Sequence, residues 1–226
     1  MIFFYPIFSF LLNNPNRFDF AFRVMRVWSW ILTHLCGLFM SIDQKEKLPS
    51  KPFIICPNHS SYLDIILMYR VFSGYFLFMG KAEITSWPLF NIFFTKGMNI
   101  AVDRSSNKAS HQAFERAKAE ADKGHNLVIF PEGTIPPTVP KMRAFKNGAF
   151  KLAIEKNIPI VPVTFINNWK RLQAGPALKN CGGPGFSEVI IHPAVYPKDY
   201  AESGLVKLKH DIFETIEKPL RDRYGD

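Results

Sequence analysis

Hydrophobic and polar positions follow two rhythms along this chain, and the change falls near residue 50. Before it lie two apolar stretches, residues 1–12 and 27–42, separated by the polar break Asn13-Asn14-Pro15-Asn16-Arg17. A dozen residues as a helix reach only about 18 Å, well short of the roughly 30 Å hydrocarbon core of a bilayer. The opening run also lacks the basic start and small-residue cleavage site of a secretory leader. The pattern predicts two short helices joined by a turn over residues 1–42, a hairpin dipping into one leaflet, with Arg23, Arg26, Trp28 and Trp30 at headgroup depth. A pair of ordinary core helices is the alternative reading of apolar runs this short.

After residue 50, short apolar runs alternate with amphipathic segments. Residues 52–56, 75–79, 98–102, 127–130 and 160–165 read as strands, several of them apolar at successive positions, as in a largely parallel sheet covered on both faces. Helical stretches fall between them at 62–72, 87–94 and 107–123. The last carries Phe114, Ala117 and Ala121 at helical spacing and stops at Gly124. Leu205, Leu208, Ile212, Ile216 and Leu220 repeat at threes and fours and predict a C-terminal amphipathic helix. The expected fold is therefore α/β, a mostly parallel central sheet flanked by helices over residues 43–226, preceded by the membrane-associated hairpin at 1–42. No internal repeat is visible. The turn Gly182-Gly183-Pro184-Gly185 lacks the Lys-Ser/Thr of a phosphate loop.

Composition narrows the partners. The 28 Lys and Arg against 19 Asp and Glu give a formal charge of +9, alongside 47% hydrophobic residues. That combination suits a folded protein meeting an anionic surface or ligand. No Lys/Arg-rich cluster with a reading helix points to nucleic acid. Cys36, Cys56 and Cys181 are odd in number and form no Cys-x-x-Cys pair, so neither a disulfide framework nor a zinc site is indicated.

Candidate chemistry begins at Pro57-Asn58-His59-Ser60-Ser61-Tyr62-Leu63-Asp64, directly after an expected strand. On one helix, a spacing of five turns His59 and Asp64 about 140° apart. If His59 instead lies in the loop and the helix starts near Ser60 or Ser61, both suitable N-caps, Asp64 can reach back to the imidazole. Such a carboxylate fixes the tautomer and leaves the other ring nitrogen as a base. A capping aspartate beside an incidental surface histidine is the plainer alternative. No Gly-x-Ser-x-Gly offers a nucleophile. Phe130-Pro131-Glu132-Gly133-Thr134 and Val102-Asp103-Arg104 likewise follow expected strands, where ligands bind in open α/β sheets. Arg104 could hold a phosphate, and Lys146 precedes a helix whose N-terminus favours an anion.

Together these blocks resemble the 1-acyl-sn-glycerol-3-phosphate acyltransferases and related glycerolipid acyltransferases. Asn58-His59 through Asp64 matches the family's NHxxxxD, the segment 97–104 ending in Val102-Asp103-Arg104 its second block, Phe130 to Thr134 its FPEGT, and 158–163 its fourth. The N-terminal helix pair is similar to the family's membrane hairpin. The resemblance implies that His59 is a general base on the free hydroxyl of a lysophospholipid, with Asp64 orienting it. Arg104, Glu132, Gly133 and Thr134 would shape the acceptor pocket, with Lys146 as an added phosphate ligand. The implied donor is an acyl thioester of coenzyme A or acyl carrier protein, with no metal or other cofactor. The implied product is phosphatidate, and the expected location is the cytoplasmic face of the inner membrane, against membrane lipids. The family often continues FPEGT with Arg-Ser; here Ile135-Pro136-Pro137 follows, and Arg143 or Lys146 would have to replace that cation. Another lysolipid, such as a lyso-aminolipid, stays open as acceptor. A non-catalytic lipid-binding protein and a metal-dependent hydrolase using His59, Asp64 and Glu132 are the readings from other classes.

Overall fold

The apolar runs after residue 50 become the five mutually parallel strands of one seven-stranded sheet in the computed structural model, which describes residues 1–175, 180–200 and 204–225. In chain order the elements are α1 (Tyr5–Leu11), α2 (Phe18–Leu35), β1 (Leu38–Gln44), β2 (Ile54–Pro57), α3 (Leu63–Val71), β3 (Phe76–Lys81), α4 (Ile92–Thr95) and β4 (Ile100–Val102). There follow α5 (Asn107–Asp122), β5 (Asn126–Val128), α6 (Gly148–Lys156), β6 (Ile160–Phe165), α7 (Asn168–Arg171), β7 (Gly185–Ile191) and α8 (Gly204–Tyr224). The strand order is β1-β7-β6-β2-β5-β3-β4, parallel from β6 through β4, with one antiparallel step between β6 and β7.

Right-handed crossovers decide which face each helix covers. The step β2-α3-β3 moves one way along the sheet, whereas β4-α5-β5 and β5-α6-β6 move back, so α3 lies on one face and α5 and α6 on the other. The helix α8 joins the second group against α6 and β6, burying Leu208, Ile212, Ile216 and Leu220 as its spacing predicts. The inner strands β2 and β6 are buried along their whole length, which explains their unbroken apolar runs.

Three expectations need correction. The second apolar stretch is not one helix. The helix α2 begins at Phe18 and ends at Leu35, and Gly37, at φ +65°, turns the chain into β1, whose seven residues pair in parallel with β7. Strand β1 therefore runs across the expected boundary at residues 42 and 43. The segment 87–94 is broken by Pro88 and by Leu89 at φ +69°, leaving only the short α4. Trp28 is 5% exposed and packs edge-on to Phe90, while Trp30 is 52% exposed. Side chains two positions apart on a helix point about 160° away from each other, so both tryptophans cannot face the same side.

Helix α2 is also fastened to α3. Phe22 inserts among Tyr69, Tyr75 and Phe76, with ring centres 4.8–5.6 Å away. Ser29 Oγ donates to the Ile66 carbonyl at 2.7 Å and Arg26 Nε to the Tyr69 carbonyl at 3.0 Å. Arg26 is thereby turned inward, toward the end of α3, where a cation offsets the helix dipole. Among the described residues no helix is long and apolar enough to cross a membrane.

Candidate active site

His59 sits two residues beyond β2, in the crevice outside the carboxyl ends of the parallel strands. Asn58 opens that crevice. Its side-chain amide donates to the Phe165 carbonyl at 3.0 Å and accepts from the Phe165 N–H at 2.7 Å, continuing the β2–β6 ladder through a side chain after the strand backbone has turned away.

The helix after His59 starts at Leu63, later than the serines suggested. Ser61 Oγ accepts the Leu63 N–H at 3.1 Å, and Asp64, in the first turn, reaches back as expected. Its Oδ2 accepts from His59 Nδ1 at 2.9 Å, from the Ser60 N–H at 2.6 Å and from the Ser61 N–H at 2.9 Å. Its Oδ1 accepts from Asn168 Nδ2 at 2.7 Å. Asp64 is fully buried, so these donors replace the water a carboxylate loses on burial. With Nδ1–H held by the carboxylate, Nε2 of His59 carries the free lone pair. The ring is stacked on Phe130 at 4.1 Å between centres, which fixes its plane. The arrangement can remove a proton from a hydroxyl at Nε2 and return it to a leaving group.

Glu132 is not on the pocket wall. It is 2% exposed, and its two oxygens accept the backbone N–H groups of His59 and Arg143, each at 2.8 Å. Burial pushes its carboxyl up to about 7, the charge of Asp64 adds to that, and the two backbone bonds oppose it. The oxygens of Asp64 and Glu132 thus face N–H donors, and among the described residues no three His, Cys, Asp or Glu side chains are grouped as a metal site would require.

Gly133, at φ +75°, explains why a glycine follows. A Cβ there would lie 2.8 Å from Arg104 Nη1 and 3.1 Å from Lys146 Cε, so its absence lets both cations close over the backbone. Arg104 Nη1 donates to the Gly133 carbonyl at 2.7 Å. Desolvation, and then the charges of Arg104, Arg143 and Lys81, hold the Lys146 ammonium below its ordinary value. Four cations therefore share one neighbourhood. Lys81, at the end of β3, was not singled out from the sequence, although its place after a strand is the same signal that marked Arg104.

A cavity of about 730 Å³ joins these parts. Its lining includes His59, Arg104, Gly133 and Thr134, together with Met25 and Trp28 of α2, Ile65 and Ile66 of α3, and Phe78 of β3. Of the expected acceptor residues, Arg104, Gly133 and Thr134 reach the cavity, Lys146 approaches through Gly133, and Glu132 stands behind. Asn168 and Ser187, both fully buried, were missed, because nothing in Asn167-Asn168 beyond its polarity after an apolar strand marks it.

A largely parallel α/β sheet carrying an imidazole–carboxylate pair at its strand ends, beside an apolar cavity and a cation cluster, defines the class: an α/β protein whose candidate site is built for proton transfer. The chain belongs to the acyltransferase family, whose model, described as Acyltransferase, matches residues 40–166. Two relatives named 1-acyl-sn-glycerol-3-phosphate acyltransferase align with it. The one from Saccharomyces cerevisiae is 31% identical over 63% of this chain and 48% of its own length, and the one from Pseudomonas aeruginosa is 27% identical over 86% and 75%. The chain thus spans about half the length of the yeast relative. The crystal structure of the 1-acyl-sn-glycerophosphate acyltransferase PlsC from Thermotoga maritima shares the fold, with a TM-score of 0.78 at 20% identity over 99% of this chain and 88% of that one.

Proposed function

We propose that this protein transfers a fatty acyl group from an acyl thioester to the free hydroxyl of 1-acyl-sn-glycerol-3-phosphate, forming phosphatidate. The observation that carries the reading is His59, whose Nε2, without a partner among the described residues, lies where the apolar cavity meets Arg104 and Gly133. In the proposed step, Nε2 takes the hydroxyl proton as the oxygen attacks the thioester carbonyl. The C–S bond then breaks, and the imidazolium returns the proton to the departing thiolate. Asp64 stabilises the imidazolium between the two transfers. Arg104, Lys146, Arg143 and Lys81 supply the positive field for the acceptor phosphate, and the apolar walls take an acyl chain. The names of the relatives support the acceptor. The donor, coenzyme A or acyl carrier protein, is proposed on the thioester chemistry, and the mechanism calls on no metal or other cofactor.

The same reading puts the protein on the cytoplasmic face of a membrane. In support, α1 and α2 turn Ile7, Phe10, Phe20, Val27, Trp30 and Leu35 outward, and the chain carries a net charge of +9. A second acceptor reading, another lysolipid such as a lyso-aminolipid, is favoured by one observation: Ile135 lines the cavity where the family often has arginine.

The test incubates purified, detergent-solubilised protein with labelled acyl-CoA or acyl carrier protein and a panel of lysolipid acceptors, with His59→Ala alongside. Phosphatidate formed by the wild type alone supports the proposal. Acylation of a different lysolipid replaces the acceptor, and no transfer from either donor leaves a lipid-binding protein.

A further inference from the structure

We propose that Asn168, clamped by Ser187, is a positioning residue for the His59–Asp64 pair, an inference that rests on the acyl transfer proposed above. Asp64 has two oxygens with separate duties. Oδ2 takes the imidazole and two backbone N–H groups, while Oδ1 points away from His59 and meets Asn168 Nδ2 at 2.7 Å, with Ser60 Oγ no closer than 3.5 Å. A carboxylate is planar, so fixing Oδ1 fixes the direction in which Oδ2 presents its lone pairs to Nδ1.

The Asn168 amide could turn either way unless something distinguishes its ends. Ser187 Oγ lies 2.5 Å from Asn168 Oδ1, and an amide oxygen can only accept, so the serine hydroxyl donates and the NH₂ end is committed to Asp64. All three side chains are fully buried, so no water can substitute for a lost partner without repacking. Ser187 lies on β7 and Asn168 opens α7 directly after β6. The network therefore ties β7, the strand just beyond the antiparallel step, to the site. Because Asn168 and Ser187 carry no charge, they orient Asp64 without neutralising it. Asn168 touches neither the cavity nor His59 and acts only through Asp64.

The experiment compares Asn168→Ala, Ser187→Ala and the double variant with the wild type. Under saturating concentrations of whichever substrates the acyl-transfer assay identifies, kcat falls about tenfold to a hundredfold in Asn168→Ala, the range for losing a hydrogen bond to a charged group, with both KM values within about twofold. Ser187→Ala falls less, and the double variant is no worse than Asn168→Ala, because the serine works through the amide. Proton NMR of the free protein supplies a readout independent of transfer: the downfield His59 Nδ1–H resonance, identified by its loss in His59→Ala, moves upfield in both single variants. If the wild type proves inactive on every acceptor yet the resonance moves, the relay stands and the acyl-transfer reading falls. A resonance and kcat unchanged in Ser187→Ala and Asn168→Ala, with only the melting temperature lowered, overturns the proposal. Should Asn168→Ala fail to fold, Ser187→Ala alone decides by the same two readouts.

Discussion

Replacing Glu132 with glutamine separates two consequences of burying a carboxylate behind the site. The carboxyl ordinarily titrates near 4.5 and is pushed up to about 7 in the fold, chiefly by burial. Between those values the folded protein holds a proton that the unfolded chain has released, so stability falls as pH rises through the window. The contribution is fully present below about pH 4.5 and gone above about pH 7. At about 1.36 kcal/mol for each pH unit, the wild type loses at most about 3 kcal/mol relative to Glu132→Gln across that range. The difference in urea midpoint between the two proteins, followed by tryptophan fluorescence from about pH 5 to about pH 8, should therefore shift steadily in favour of the variant. Activity should move the other way. Glutamine offers one accepting oxygen where two backbone N–H groups, of His59 and Arg143, now find one each, so one anchor is lost and kcat drops by about tenfold. Parallel stability curves for the two proteins would refute the buried titration, and an undiminished kcat would refute the anchoring.

Asp64→Asn leaves the shape but presents an amide to His59 and favours the wrong tautomer. A loss of about 10³- to 10⁴-fold in kcat is expected in steady-state assays, and more than a tenth of normal turnover would remove Asp64 from its role. Arg104→Ala should raise the KM of the acceptor about tenfold to a hundredfold and leave that of the donor unchanged; equal effects on both would take the guanidinium out of phosphate recognition. Exchanging Phe20 and Trp30, both more than half exposed, for serine should lower partitioning onto anionic vesicles by at least about tenfold in sedimentation, since each large side chain contributes about 1.5–3 kcal/mol when fully buried. Unchanged sedimentation would mean that the outer side of α2 does not meet lipid. Deleting residues 1–42 is the poorer test, because it also removes Phe22 from its aromatic cluster and most of β1 from the sheet.

The sequence reveals what repeats or follows a strand. Strands β2 to β6 were legible because the parallel part of the sheet is built from short apolar runs, and His59, Arg104 and Gly133 because each follows such a run. The two strands beyond the antiparallel step, β1 and β7, were not. Strand β1 is buried only at Leu38 and mostly exposed beyond it, and β7 alternates, so neither forms an unbroken apolar run. In β1 the apolar residues continue those of α2, and only Gly37 marks the break. Glu132 was legible as part of a motif but not as a buried anchor, because spacing says nothing about which way a carboxylate turns. Asn168 and Ser187 lie 104 and more residues from Asp64, and a contact across three strands leaves no local pattern to read.

Helix α2 gives the fold its bearing on the proposed reaction. Met25 and Trp28 line the cavity, while Phe20, Val27 and Trp30 on the opposite side face outward. In the proposed reaction one helix would thus form both a wall of the acyl site and the surface offered to lipid. An acyl chain drawn from a leaflet into water loses about 0.8 kcal/mol for each CH₂, so a long chain cannot reach a catalytic base by way of solvent. Under the proposed function, a wall shared between cavity and membrane would remove that barrier, because the chain would pass along α2 in apolar surroundings. The thioester's headgroup needs no such path and can arrive from water. The hydrogen bonds from Ser29 and Arg26 to α3 would then serve the chemistry as well as the fold: they set the distance between α2 and the helix that carries Asp64.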